Sequence, residues 1–269
     1  MERGEFLFLK NRFVLKKKNN LMHVSKTLNY RIPLQTAIIQ PVIPLKEKIV
    51  TGLDALFDKI FIINLDKRTD RWEKCLAEIE KTDITNYERV SATCLAYSEI
   101  DQKIISNFSP RTPRKNKPYL AGSYSCKMSH YRVVQMAKER GYSKILIFED
   151  DFLFCPSFET EIKRIPQLFD FEKTEWELFY FGANTGDKKE TFPAQVVKAP
   201  HVLTAHAYAI HSRAFGTILD KCMKFPAEID VFYKSEFKQV YVVKPSIVTQ
   251  RSSFSDIQGI IVNYDNLIK

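Results

Sequence analysis

Short apolar runs recur along the chain, each followed by a polar turn and then by apolar residues at helical spacing. Ile60-Phe61-Ile62-Ile63 is the first. An unbroken run this short, without alternation, predicts a strand covered on both faces. Beyond it, Trp72, Cys75, Leu76 and Ile79 fall at i, i+3, i+4 and i+7, the signature of a one-sided helix. Asp70 with Glu73 three residues on reads as a capping box for that helix. Further strands are expected at 87–91, 144–148, 178–181, 203–210 and 240–243. Helices are expected near 122–140, with Tyr124, Met128, Tyr131 and Val134 inward and Gly141 past the end, and at 158–169. A last one starts with Ser212 as its cap and buries Phe215, Ile218, Leu219 and Cys222. This alternation predicts an α/β fold, a mostly parallel sheet flanked by helices, over residues 59–269. Upstream, Pro33, Pro41 and Pro44 argue against helix, so residues 1–58 read as an N-terminal extension able to pack on the domain.

Charge refines this outline. The formal net charge is +9, and it is concentrated in two places. Residues 1–31 carry eight Lys/Arg against two Glu, and residues 110–118 carry four Lys/Arg with no acid. The rest is close to neutral, so the excess sits on an arm and on a proline-punctuated loop. Such patches attract phosphates or an anionic membrane surface. Nucleic acid is disfavoured, because the basic loop lacks interleaved aromatics and no DNA or RNA module is present. No apolar run approaches the ~18 residues needed to span a bilayer, and no secretory signal is legible. The five cysteines are scattered and odd in number, which predicts a reduced, cytoplasmic setting. His201, His206 and His211 recur every five residues with no cysteine beside them, so they read as ordinary polar positions rather than zinc ligands.

The strongest chemical signal is Lys144-Ile-Leu-Ile-Phe-Glu-Asp-Asp151, a buried strand ending in three adjacent carboxylates. Ligands of open α/β sheets sit beyond the carboxyl ends of such strands. Adjacent acids repel one another unless a cation joins them, and hard divalent cations arrive with phosphates. Glu149, Asp150 and Asp151 are therefore candidates for a metal–diphosphate site. After the first strand, Asn64, Asp66, Arg68 and Arg71 occupy the same edge of the sheet. Arginines and free amides at a helix start suit a diphosphate equally well. An acidic turn and a salt-bridged helix start are the bland alternatives to both.

Taken in order, several blocks resemble glycosyltransferase family 25, which includes lipopolysaccharide and collagen galactosyltransferases. They are Asn64-Leu-Asp-Lys-Arg-Thr-Asp-Arg71, Cys126-Lys-Met-Ser-His130, Ile145–Asp151, Ala205–Ile210 with Ser212-Arg213, Pro226–Asp230, and Pro245–Gln250 with Ser255-Asp-Ile257. The likeness spans about residues 59–259. Ser123 and Ser125 stand where the family commonly has an acid and a glycine. The resemblance implies a GT-A-type, Rossmann-like domain with a metal motif at Glu149-Asp150-Asp151. It implies Mn²⁺ or Mg²⁺ held by Asp151 with Glu149 or Asp150, and UDP-galactose or UDP-glucose as donor. The acceptor would be a glycan or lipid-linked oligosaccharide, with lipopolysaccharide biosynthesis at the inner membrane face as one setting. Transfer with inversion implies a base, for which Asp230 is the candidate, with Asp256 and His130 in reserve. Two other readings are a non-catalytic binding module on the same fold and a two-metal nucleotidyl or phosphoryl transferase.

Overall fold

The computed structural model describes residues 52–109, 116–184 and 192–263, all within one unit, Lys48–Lys269. The extension through residue 51, most of the basic loop and the 185–191 loop lie outside the described residues. A short helix α1 (Leu53–Leu56) leads into β1 (Lys59–Asn64), and Leu53 and Phe57 are buried with the core. Helix α2 (Thr69–Ile79), β2 (Tyr87–Ser91), α3 (Gln102–Ser106) and the long α4 (Lys117–Glu139) follow. Next come β3 (Lys144–Glu149), β4 (Phe152–Phe154), α5 (Phe158–Leu168), β5 (Leu178–Asn184), β6 (Gln195–Lys198) and β7 (Leu203–His211). The chain then runs through α6 (Ser212–Lys221), α7 (Ile229–Glu236), β8 (Val240–Lys244), β9 (Val248–Gln250), β10 (Ser253–Ser255) and β11 (Ile260–Val262).

Seven strands form one sheet in the order β2-β1-β3-β7-β5-β8-β6. β1, β2, β3, β5 and β8 share one direction, while β7 and β6 run against their neighbours. The mostly parallel expectation therefore holds, with β7 reversed at the centre of the sheet. The unbroken apolar runs are explained by burial on both faces. Ile60, Ile62, Leu146 and Phe148 point into one core with Cys75 and Ile79 of α2 and Ile162 and Ile165 of α5. Phe61, Ile63, Ile145 and Ile147 point into the other with Val133 and Val134 of α4, Phe215 and Ile218 of α6, and Phe232 of α7. Alternate strand residues thus feed opposite layers. Among the described residues no helix is long and apolar enough to cross a membrane.

Helix ends agree in part with expectation. Gly141, at φ +73°, closes α4, and the amide of Tyr142 reaches back to the Ala137 carbonyl, as a left-handed terminus requires. The Asp70 capping box is not formed. Arg68 occupies the N-cap of α2 without a side-chain cap, and Asp70 instead accepts its guanidinium at 2.8 and 3.0 Å. Nor does Ser212 cap α6. His211 holds that place, its Nδ1 accepting the Arg213 amide at 3.2 Å.

One glycine matters for what lies above the sheet. A Cβ on Gly182 would stand 1.9 Å from the Val248 carbonyl oxygen and 2.4 Å from His206 Nε2. Its absence lets β9 lie close against β5. Gly182→Ala must displace backbone, so it is expected to cost about 3 kcal/mol. Urea unfolding checks this, and a midpoint within error of wild type would contradict it.

Candidate active site

A cleft of about 320 Å³ opens at the carboxyl ends of β1 and β3, lined in part by Glu149, Asp150, Asp151, Asp230 and Asp256. Among its lining residues, the three consecutive acids have three different fates. Asp150 is buried, and its oxygens accept Arg71 Nη1 at 2.5 Å and Asn64 Nδ2 at 2.7 Å. Its charge is already compensated. Glu149 accepts from His130 Nε2 at 3.0 Å and lies 3.7 Å from Cys126 Sγ. Burial opposes its ionisation, but the hydrogen bond and charge of His130 outweigh that and hold the carboxyl low. Asp151 sits in the turn between β3 and β4. The antiparallel β4–β9 pair sets Phe152 opposite Gln250, and the Gln250 amide lies 3.3 Å from Asp151 Oδ2. Burial, and next the charge of Glu149, push Asp151 up to about 7.

The first loop is similarly divided. Asn64, at the end of β1, ties Asp150 to the Arg68 carbonyl, while its Oδ1 accepts Arg89 at 2.8 and 2.9 Å. Asp66 is exposed and accepts from Arg89 and from Ser91, each at 2.8 Å. It does not line the cleft, and neither does Arg68, which is held between Asp70 and Asp256. Arg71 does line it, with Nη2 donating to Ser253 Oγ and the Phe254 carbonyl while Nε is buried without a partner. The arginine pair thus fastens the β10–β11 hairpin, which forms one wall of the cleft.

Asp230 lies in the first turn of α7 and is 8% exposed. Its Oδ2 accepts the Thr204 amide at 3.0 Å and its Oδ1 accepts the Val231 amide at 2.9 Å. Thr204 has φ +79°, a left-handed conformation rare for a β-branched residue. Asp256 is paired with Arg68 and lies 3.6 Å from Lys67. His130 is fully buried, with Nδ1 bonded to the Tyr208 hydroxyl at 2.8 Å. All three base candidates line the cleft, and Asp230 is the one whose carboxylate is oriented by two backbone amides. His206 is buried and His201 exposed, so the five-residue histidine repeat does not assemble.

Several contributors had no role legible from their local sequence. Gln250 and Thr204 approach through strands distant in sequence. Ser125 Oγ accepts the Leu95 amide and Ser129 Oγ accepts the Thr93 amide, so these helical serines pin the segment along one side of the cleft. Lys127 is fully buried. Its Nζ donates to the Phe225 and Ala227 carbonyls at 2.5 and 2.9 Å, anchoring the approach to α7 and so to Asp230. Burial pulls its ammonium down from 10.5 to about 8. Between those values the unfolded chain keeps a proton that the folded chain has lost, so this group adds stability as pH rises. Relative to Lys127→Met, wild type should gain up to about 3 kcal/mol from pH 8 to 10.5. Parallel denaturant curves would refute this if the difference stays flat.

Residues 57–232 match glycosyltransferase family 25, described as an LPS biosynthesis protein family. The chain therefore belongs to glycosyltransferase family 25. It is 29% identical over 240 residues to human procollagen galactosyltransferase 2, covering 82% of this chain and 38% of that protein. It is 30% identical over 140 residues to human inactive glycosyltransferase 25 family member 3, covering 50% of this chain and 23% of that protein. The chain thus spans well under half the length of these relatives. A crystal structure of a glycosyltransferase involved in the glycosylation of the major capsid of PBCV-1 superposes with a TM-score of 0.44 at 12% identity, covering 74% of this chain and 95% of that one.

Proposed function

We propose that the chain is a metal-dependent, inverting glycosyltransferase that moves galactose or glucose from a UDP-sugar to a hydroxyl of a glycan or lipid-linked oligosaccharide. The observation that carries this is the state of Asp151. It is half-buried in the wall of the cleft beside Glu149, with its carboxylate touching the Gln250 amide, while the nearby Arg71 is taken up by Asp150. That arrangement sets two neighbouring carboxyls, Glu149 and Asp151, on a cleft large enough for part of a nucleotide sugar. Oxygen donors of this kind fit Mn²⁺ or Mg²⁺. Asp151 would hold the cation and Glu149 would assist. When bound, it would act as a Lewis acid that stabilises the departing diphosphate.

The protein's own groups then have distinct tasks. Asp150, fixed by Arg71 and Asn64, keeps the turn rigid so that Asp151 points into the cleft. Asp230, oriented by two backbone amides, takes the proton of the acceptor hydroxyl as that oxygen attacks the anomeric carbon from the face opposite the departing UDP. The β10–β11 hairpin also exposes Phe254, Ile260 and Ile261, which supports an acceptor with an apolar portion. Lipopolysaccharide biosynthesis at a cytoplasmic membrane face is consistent with that feature and with the basic N-terminal sequence.

A second reading, a donor-binding module without turnover, is favoured by the 30% identical human relative described as inactive. Thermal shift with a panel of nucleotide sugars, with and without Mn²⁺, addresses the first point, because a ligand stabilises the fold according to its affinity. UDP-galactose or UDP-glucose should raise Tm only with the cation. UDP release from the stabilising sugar then separates enzyme from module. No cation-dependent shift with any UDP-sugar would overturn the proposal.

A further inference from the structure

We propose that Cys126, His130 and Glu149 form a second metal site, selective for a thiophilic cation of the Zn²⁺ or Co²⁺ class, at the floor of the same cleft. Cys126 and His130 are four residues apart on α4 and so project from one face of the helix toward the end of β3. Their Sγ and Nε2 and a Glu149 carboxylate oxygen all lie within 4.8 Å of one another. Two of these separations are 3.7 Å (sulfur to oxygen) and 3.0 Å (nitrogen to oxygen). Ligands around tetrahedral zinc stand about 3.5 Å apart, given bonds of about 2.0–2.3 Å. The triad is therefore near its bound geometry already.

The donor set sets the preference. Thiolate, imidazole and carboxylate together suit Zn²⁺ or Co²⁺, whereas Mn²⁺ and Mg²⁺ favour oxygen ligands. Metal-binding histidines have their second nitrogen fixed by a partner. Here the Tyr208 hydroxyl holds Nδ1 at 2.8 Å, and Tyr233 holds Tyr208 at 3.0 Å. Access comes from the cleft, since all three residues line it and the Glu149 side chain is 26% exposed. On binding, the Cys126 thiol gives its proton to solvent. Nε2 gives up the proton it shares with Glu149 and turns its lone pair to the metal, and the ring keeps one proton, on Nδ1, donated to Tyr208. One thiolate and one carboxylate then balance the dication, and the fourth position faces the cleft.

Glu149 is common to this site and to the oxygen-ligand site of the proposed function. If that function holds, zinc removes Glu149 from the donor cation and inhibits transfer in competition with Mn²⁺. The binding itself does not depend on that reading. The test uses the full chain, stripped of metal and titrated with Co²⁺ alone, then with Zn²⁺ in competition. Wild type should develop the intense near-ultraviolet thiolate-to-cobalt band, and zinc should abolish it. Cys126→Ser should lose the band and weaken zinc binding by at least about tenfold. Cys94→Ser, at the other cleft-lining cysteine, and Asp151→Ala should both keep the band. A wild-type protein without the band at saturating Co²⁺ overturns the site, whatever the variants do. A band that survives in Cys126→Ser, or vanishes in Cys94→Ser, overturns it as well.

Discussion

Asp230→Asn is expected to lower sugar transfer by about 10²- to 10⁴-fold, the usual contribution of a positioned general base. Two amides, from Thr204 and Val231, hold the carboxylate in place. Asn keeps a carbonyl oxygen for one of them and matches the volume, so the fold should tolerate the change. It cannot accept a proton from the acceptor hydroxyl. The loss should therefore appear in kcat, with UDP and cation affinity near wild type. Initial rates with the cognate donor, alongside UDP binding in Mn²⁺, make the comparison. Turnover within a factor of a few of wild type would remove Asp230 from the role and turn attention to Asp256. That residue would first have to leave its pairing with Arg68.

Asp151→Ala should have the other large effect, on binding rather than on turnover alone. The variant removes the carboxylate that lacks a cationic partner among these contacts. It leaves Asp150, Arg71 and Asn64, which hold the turn, untouched. Cation-dependent UDP affinity should fall on the order of 100-fold, since a bridging metal supplies several kcal/mol and each 1.4 kcal/mol is tenfold. Stability should hold or rise, because the burial and Glu149 repulsion that push Asp151 upward are relieved. Asp150→Ala makes the contrast. It strands the Arg71 guanidinium and should cost stability first. Equal UDP affinity in wild type and Asp151→Ala would contradict the assignment.

The layers of the fold were legible because local pattern reports burial. Ile60–Ile63 and Ile145–Phe148 are apolar at every position since both faces of the sheet are covered. Strand direction was not legible. β7 reads like its neighbours and runs against both, because direction is set by connections rather than by the strand's own residues. The three-residue partners β4 and β9, and the eight-residue α7, were too short to show a period, yet they deliver Gln250 and Asp230. The acid cluster was visible as a composition, but its division of labour was not. Arg71 and Asn64 reach Asp150 across 79 and 86 residues of sequence, and nothing local distinguishes Asp150 from Asp151. A place at a helix start suits the arginines to phosphate. In the structure Arg68 and much of Arg71 instead clasp the β10–β11 hairpin.

Anomalous diffraction from crystals grown with Mn²⁺ and UDP puts the account to its most direct trial. A manganese peak is expected within bonding distance of an Asp151 oxygen and of the UDP diphosphate, with Asp150 still held by Arg71. Ordered UDP with no manganese beside Asp151, or manganese bound away from the diphosphate, would contradict it.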